Sequence, residues 1–213
     1  MTNLLNAILV VVLMLNLFAL GTSRIISVIR TVAVQGALLG LLPILLHRHG
    51  SAAILLVVAL SVALKGFVIP GMMLRALRDV HIKREVEPLI GLEASVLLGA
   101  LGTVFALLFA DRLPLTPLHA GALIVPASLA TILAGFLLLV TRFKAISQVL
   151  GYLVLENGIF LFGLLLVEAM PLVVELGVLL DLFVGIFVIC IIVNHINRAF
   201  ASTDTRLLVA LKE

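Results

Sequence analysis

The chain has 213 residues, of which 63% are hydrophobic and 12% charged, and its mean hydropathy is +1.36. Soluble domains use apolar residues for nearer about 45–50% of their length, so this composition excludes them and predicts an integral membrane protein. The formal net charge is +3, but the placement of basic residues says more about a membrane protein than their sum. One cysteine, Cys190, excludes disulfide frameworks and cysteine-ligated clusters.

The apolar stretches are long enough to cross a hydrocarbon layer about 30 Å thick, for which a helix needs about 20 residues. Polar connections separate them, and the longest connection, 75–87, is too short to fold as a second domain. The sequence therefore predicts an all-α bundle of seven transmembrane helices in a single domain, 1–213. We place the helices near 3–21, 25–46, 51–74, 88–110, 118–140, 145–167 and 171–193.

The distribution of lysine and arginine predicts the orientation of this bundle. Eleven basic residues fall on one side, two fall on the other (Arg48 and Arg112), and Lys65 lies inside a helix. By the positive-inside rule, the N-terminus is expected outside and the C-terminus in the cytoplasm. The eleven are Arg24, Arg30, Arg75, Arg78, Lys83, Arg84, Arg142, Lys144, Arg198, Arg206 and Lys212.

Two acids, Glu156 and Asp181, lie near the middle of the sixth and seventh predicted helices, about 15 Å from either membrane surface at 1.5 Å per residue. A carboxylate at this depth costs roughly 2.5–3.5 kcal/mol on insertion scales, so it usually faces protein and marks an ion or proton path. Gly177 and Gly185 share a helix face with Asp181, and such small residues let a second helix approach. Three alternatives stay open: a neutral acid bonded to a backbone carbonyl, an ion pair that only fixes packing, or misplaced helix boundaries.

Lys65 lies near the middle of the third predicted helix, where its side chain cannot easily reach water. It is a candidate counter-charge for Glu156, for Asp181 or for an acid on a neighbouring protein of the same assembly. A lysine that responds to a nearby carboxylate can act as a relay, and the alternative is a purely structural pair.

Three further residues are candidates for the same path. Tyr152 precedes Glu156 by one helical turn and could hydrogen-bond the carboxyl group, or it could be an interface aromatic. Glu93 and Glu175 are close to the predicted ends of their helices, so each is either an entrance to the path or a solvated surface acid.

Several chemistries are excluded for this chain. Haem ligation by two histidines needs a facing pair at matching depth, but His119 and His195 fall at opposite ends of the predicted bundle. No phosphate-binding loop, dinucleotide fingerprint or hydrolase elbow is present. We therefore expect no catalytic residue, cofactor or metal site in this chain, and no nucleic-acid partner.

The run Gly151–Gly158 (GYLVLENG), the segment Leu180–Phe183 (LDLF) and Lys65 in ALKGFVIP resemble the E-type membrane component of hydrogenase 4 and of formate hydrogenlyase-type group 4 nickel-iron hydrogenase complexes. The last three helices resemble the three-helix K-type small membrane subunit of complex I. Multisubunit cation/proton antiporters contain a similar small subunit. The resemblance implies an N-terminal four-helix part, 1–110, a complex I K-subunit-like part, 111–198, and a cytoplasmic tail, 199–213.

The resemblance further implies a non-catalytic membrane-arm subunit of an oxidoreductase complex in a bacterial or archaeal cytoplasmic (inner) membrane. Glu156 and Asp181 fall on the positions of the paired acids of the K-type subunit, with the second acid one methylene shorter here. Implied partners are antiporter-like large membrane subunits, other membrane-arm subunits and membrane lipids. A peripheral hydrogenase arm would carry the nickel-iron centre and iron-sulfur clusters.

Two other functions remain open at this stage. A self-contained secondary transporter of a small cation or metabolite would work as a single chain and hold a substrate cavity between its repeats. A structural scaffold would use the intramembrane acids only to lock helices together.

Overall fold

In a computed structural model the chain is described at residues 2–46, 52–80, 89–113, 123–165 and 185. The regular elements of this part are helices. They are α1 (Thr2–Gly21), α2 (Ile25–Leu46), α3 (Ala52–Ser61), a π-helical segment (Val62–Val68), α4 (Ile69–Val80), α5 (Leu92–Ala110), α6 (Ile124–Thr141) and α7 (Ala145–Gly163).

Within the described ranges, six stretches are long and apolar enough to cross a membrane. They correspond to the first six predicted helices. The seventh predicted helix, 171–193, and the tail, 199–213, lie outside the described residues except for Gly185. The seven-helix count and the orientation of the termini therefore stay predictions. The six stretches are Asn3–Gly21, Ile25–Leu45, Val58–Arg75, Leu92–Ala110, Ile124–Thr141 and Ile146–Gly163.

The third span is not a regular α-helix, because a π-helical segment of seven residues joins α3 to α4. Pro70 follows directly in the first turn of α4. A proline has no amide hydrogen, and its ring meets the carbonyl group four residues earlier in a regular helix. Widening to π geometry in front of Pro70 relieves this conflict, and π segments of this kind are frequent at functional sites. Lys65 lies inside the segment.

The boundaries of α5 differ from the predicted span 88–110. The amide of Leu89 donates to the carbonyl oxygen of Thr141, 2.9 Å away, and Gly91 is extended with φ −55° and ψ 152°. The helix therefore begins at Leu92, because the residues before it are engaged at the end of α6.

Contacts at the helix ends show that α1 and α6 run in the same direction. Near the start of α1, the Asn6 side chain accepts a hydrogen bond of 3.0 Å from the amide of Leu123, just before α6. At the opposite end, the Arg142 guanidinium donates to the carbonyl oxygen of Leu20 over 2.9 Å. We call these the Asn6 end and the Arg142 end of the bundle.

Arg142 corrects one expectation from the sequence. It was counted among the basic residues of a polar connection, yet its side chain is only 2% exposed. Leu20 belongs to the last turn of α1, where backbone carbonyls lack intrahelical partners. The guanidinium satisfies one of them, so Arg142 ties the end of α1 to the end of α6.

The closest helix packing in the described part joins α6 to α7, where glycines remove the side chains that would separate the backbones. A Cβ atom on Gly158 would lie 2.6 Å from the backbone nitrogen of Ile132, and one on Gly151 would lie 2.6 Å from that of Leu139. Small residues at such contacts are the usual means of close approach between membrane helices. The segment that carries Glu156 is therefore held firmly against α6.

Two apolar clusters form the core of the described helices. The cluster at the Arg142 end comprises Ala19, Leu20, Ile25, Val28, Ile29, Val32, Ile69, Met73, Leu77, Ala134, Leu138, Leu150, Leu153 and Val154. The cluster at the Asn6 end comprises Leu5, Leu9, Val12, Leu39, Leu42, Ile124, Ala127, Leu161 and Leu164.

Candidate functional site

A buried ion pair joins the π-helical segment to α7. The Lys65 ammonium nitrogen lies 3.1 Å from Oε1 of Glu156, and each side chain is 10% exposed. Both residues are far from the ends of their membrane spans. The opposite charges compensate each other in surroundings where a single uncompensated charge would be costly.

Two further contacts hold the Lys65 ammonium group. Oδ1 of Asn157 lies 3.5 Å from Nζ, and the ring centroid of Phe160 lies 4.9 Å from it. An aromatic face at this distance attracts a cation through the ring quadrupole. The carboxylate, amide and ring come from successive residues and turns of α7, so this helix provides a mixed polar and aromatic receptor for the ammonium group.

A glycine on α2 creates the space that Lys65 occupies. A Cβ atom on Gly36 would lie 2.8 Å from Cβ of Lys65, which is closer than two such atoms normally approach. Gly36 therefore allows the π-helical segment to lie directly against α2, and this contact directs the lysine stem toward α7.

A small cavity of about 10 Å³ adjoins the ion pair. This volume is at the lower limit for one water molecule. Lys65, Glu156 and Asn157 form its polar wall, and the lining on the Arg142 side is apolar. The apolar lining residues are Ile29, Val32, Ile69, Pro70, Met73, Leu150 and Leu153.

The ion pair continues into a chain of buried polar side chains that crosses the bundle. Nδ2 of Asn157 donates to Oε1 of Gln35 over 3.4 Å, and Nε2 of Gln35 donates to Oδ1 of Asn16 over 2.8 Å. Nδ2 of Asn16 then donates to the hydroxyl oxygen of Thr131 over 2.9 Å. All four of these residues are buried. We call Lys65, Glu156, Asn157, Gln35, Asn16 and Thr131 together the polar layer.

The polar layer separates the two apolar clusters. In α1, Asn16 lies between Val12 of the Asn6-end cluster and Ala19 of the Arg142-end cluster. The layer residues of α2, α6 and α7 lie between members of the same two clusters. The layer is therefore a band of polarity across the bundle, bounded on both sides by apolar side chains.

Of the residues that the sequence singled out, Lys65 and Glu156 are in direct contact in the structure. Glu156 is one of the partners that the sequence left open for Lys65. Tyr152 is partly buried and packs against the Arg142-end cluster. Glu93 is exposed in the first turn of α5, so it is not part of the polar layer. The proposed path role of each of these residues stays a prediction.

Asp181 and Glu175 lie outside the described residues. Gly185, on the same predicted helix face as Asp181, is described as helical, and a Cβ atom on it would lie 3.7 Å from Cδ1 of Ile69. This glycine therefore approaches α4 close to the end of the π-helical segment.

Sequence reasoning missed Asn16, Gln35 and Thr131 as members of the layer, and it missed the burial of Arg142. A signal was available for two of them. Asn16 in LMLNLFAL and Gln35 in VAVQGALL are single carboxamides in apolar runs, and strongly polar residues inside membrane spans usually face protein. Thr131 gave no such signal, because a threonine in a helix can bond its own backbone. Its hydroxyl does donate to the carbonyl oxygen of Ala127 over 2.7 Å.

Within the described ranges, no group of three or more His, Cys, Asp or Glu side chains could hold a metal ion. The polar layer offers one carboxylate, three carboxamides, one hydroxyl and one ammonium group. These groups suit hydrogen bonding and proton exchange between Lys65 and Glu156.

Comparison with known proteins finds relatives of two kinds. The chain is 34% identical over 191 residues to the uncharacterized protein Rv0085 of Mycobacterium tuberculosis, covering 88% of this chain and 86% of that protein. It is 29% identical over 150 residues to hydrogenase-4 component E of Escherichia coli strain K12, covering 70% of this chain and 68% of that protein. The hydrogenase-4 component E of Shigella flexneri gives the same values. No protein-family model matches the chain, and no solved structure matches it.

Proposed function

We propose that this chain is a membrane-arm subunit of a complex I-like assembly of the hydrogenase-4 type. The chain belongs to the same family as the mycobacterial protein Rv0085. The distant similarity to hydrogenase-4 component E supports the type of assembly. The observation that carries a role in proton translocation is the buried pair of Lys65 and Glu156 inside the membrane spans.

The pair can exchange a proton without leaving the membrane. In the charged state Nζ of Lys65 carries three protons and Glu156 is a carboxylate. When one N–H bond breaks and an O–H bond forms at Oε1, 3.1 Å away, a neutral amine and a neutral carboxylic acid remain. Both states have zero net charge, but only the first separates a positive and a negative charge, so a charge that appears nearby shifts the equilibrium between them. In the proposed assembly such charges come from partner subunits during electron transfer.

The remaining parts of the proposal follow from the sequence resemblance. Asp181 would be the second acid of the path, and Tyr152, Glu93 and Glu175 would contribute to it or to its entrances. The nickel-iron centre and iron-sulfur clusters would belong to the peripheral arm, with antiporter-like subunits as membrane neighbours. The N-terminus would face outward from a bacterial or archaeal cytoplasmic membrane and the C-terminus inward, as the basic residues predict.

The cavity beside Lys65 bears on the alternative of a self-contained transporter. Its volume of about 10 Å³ admits one water molecule and no metabolite. This argues against a metabolite transporter that uses the Lys65–Glu156 site. A small cation would have to displace the lysine ammonium group, which already occupies the position between the carboxylate, the amide and the ring.

The first test is purification of the C-terminally tagged chain after mild solubilisation, followed by mass spectrometry and measurement of nickel and iron. We expect antiporter-like membrane subunits and a metal-bearing peripheral arm. A stable lone chain or homo-oligomer without metals would contradict the proposal and favour the transporter.

The second test is Glu156→Gln in the purified complex, reconstituted in vesicles with a pH-sensitive dye. We expect electron transfer to persist while proton translocation is lost, because glutamine keeps the shape but cannot exchange the proton. Asp111→Asn is the matched control, since that carboxylate is exposed directly after α5 and is not a candidate for the path. Unchanged translocation in Glu156→Gln would leave the acid with a structural role only.

A further inference from the structure

The hydrogen bonds of the polar layer all point in one direction. Lys65 donates to Asn157, Asn157 to Gln35, and Gln35 to Asn16. Asn16 donates to Thr131, whose hydroxyl donates to the carbonyl oxygen of Ala127. Each donor faces away from Lys65, so five successive bonds share one polarity across α7, α2, α1 and α6.

The charge of Lys65 sets this polarity. An ammonium group has donors and no acceptor, so Asn157 must turn its carbonyl oxygen toward Nζ. The NH₂ group at the other end of the same amide then faces Gln35, which must present its own oxygen. Each amide in turn must therefore place its oxygen on the side nearer Lys65 and its NH₂ group on the far side. Because the amides are buried, a reversed link would place two donors or two acceptors together, and buried polar groups without a hydrogen-bond partner are costly.

The opposite polarity becomes available once Lys65 has given a proton to Glu156. A neutral amine has one lone pair and two N–H groups, so it can rotate to aim the lone pair at Asn157 and an N–H group at the Glu156 carboxyl group. Asn157 can then turn its NH₂ group toward Nζ. Gln35 then donates to Asn157, Asn16 donates to Gln35, and the Thr131 hydroxyl turns from Ala127 to the oxygen of Asn16. The four links from Lys65 to Thr131 are kept in both arrangements and only the bond from Thr131 to Ala127 is given up, which makes the chain a two-state element.

We propose that Asn157, Gln35, Asn16 and Thr131 form an orientational relay that carries the charge state of Lys65 across the bundle to the contact between α1 and α6. These are positioning residues. The amides keep their own protons throughout, and what passes along the chain is the alignment of dipoles. The relay deepens the proposed function, since it rests on proton exchange at Lys65, but its polarity can be measured without any proton pumping.

The test uses the full chain in lipid nanodiscs with ¹⁵N-labelled asparagine and reads the side-chain NH₂ resonances. The sequence has six asparagines: Asn3, Asn6, Asn16, Asn157, Asn194 and Asn197. The Asn16 resonance is assigned by its loss in Asn16→Ser. In Lys65→Met the charge that orients the chain is absent. We expect the Asn16 resonance to move by more than its linewidth, although Asn157 and Gln35 separate it from Lys65.

A double variant tests whether the effect travels through the chain. Gln35→Leu removes the middle link, so adding Lys65→Met to Gln35→Leu should leave the Asn16 resonance where Gln35→Leu alone put it. Lys144→Met is the control for loss of a lysine outside the layer and should not move it. The Asn6 resonance reports on folding, because that amide binds Leu123 at the end of the bundle, and it should stay fixed throughout.

Two results would overturn the relay. One is an unmoved Asn16 resonance in Lys65→Met with Asn6 unchanged. The other is a movement of the same size when Gln35 is leucine, which would mean transmission by general repacking. The proposed function fails separately, through unchanged proton translocation in Glu156→Gln, so the two failures are distinguishable.

Discussion

Breaking the buried ion pair on one side should be far more harmful than removing it entirely. Lys65→Met leaves the Glu156 carboxylate in apolar surroundings, and Glu156→Met leaves the ammonium group with the Asn157 amide and the Phe160 ring. Removing one partner of a buried pair typically costs about 3–5 kcal/mol. Each side chain is 10% exposed, so water can do little to reduce this value.

An independent estimate gives a similar magnitude. Insertion scales assign a charged side chain at the centre of a membrane helix about 2.5–3.5 kcal/mol. We therefore expect each single variant to lose about 3 kcal/mol of unfolding free energy, which is a factor of about 150 in the folding equilibrium. The double variant Lys65→Met/Glu156→Met leaves no uncompensated charge, so its stability should be within about 1 kcal/mol of the original or higher.

The assay is reversible unfolding of the full chain in bicelles, with the four proteins compared as a double-mutant cycle. Arg75→Met is the matched control, because Arg75 is an exposed basic residue at the end of Val58–Arg75, the membrane span that contains Lys65. We expect the control to change stability by less than about 0.5 kcal/mol. Single variants that cost under about 1 kcal/mol, the value for exposed pairs, would refute the reasoning that the pair is shielded from water.

Two further predictions concern the packing around the site. Gly158→Ala should destabilise the chain by about 1–3 kcal/mol, because the new methyl group meets the backbone of α6; Gly163→Ala, with nothing within 4 Å, should be neutral or slightly stabilising in the same unfolding assay. Arg142→Met removes the charged donor to the carbonyl oxygen of Leu20 and should cost about 1.5–3 kcal/mol. Arg112 is exposed, so Arg112→Met should change the unfolding free energy little. Equal effects of the two arginine variants would contradict the burial of Arg142.

The sequence by itself determined the class of the protein and most of its spans. Apolar runs of about 20 residues have one stable arrangement in a bilayer, because helices satisfy their own backbone groups there. The same physics made Lys65 and Glu156 conspicuous, since a charge inside a span carries a large penalty. The π-helical segment was not foreseen, although Pro70 was visible and its missing amide hydrogen explains the irregular turn.

The tertiary structure alone decided which faces of the helices meet. Apart from α4, these helices are apolar around most of their circumference, so hydrophobic periodicity does not distinguish a buried face from a lipid-facing one. Lys65 and Asn157 are 92 positions apart, and Gln35 and Asn157 are 122 apart. The partners in the polar layer depend on close helix approach at Gly36 and Gly158. Arg142 was buried for a similar reason, since only the packed bundle places the end of α1 beside it.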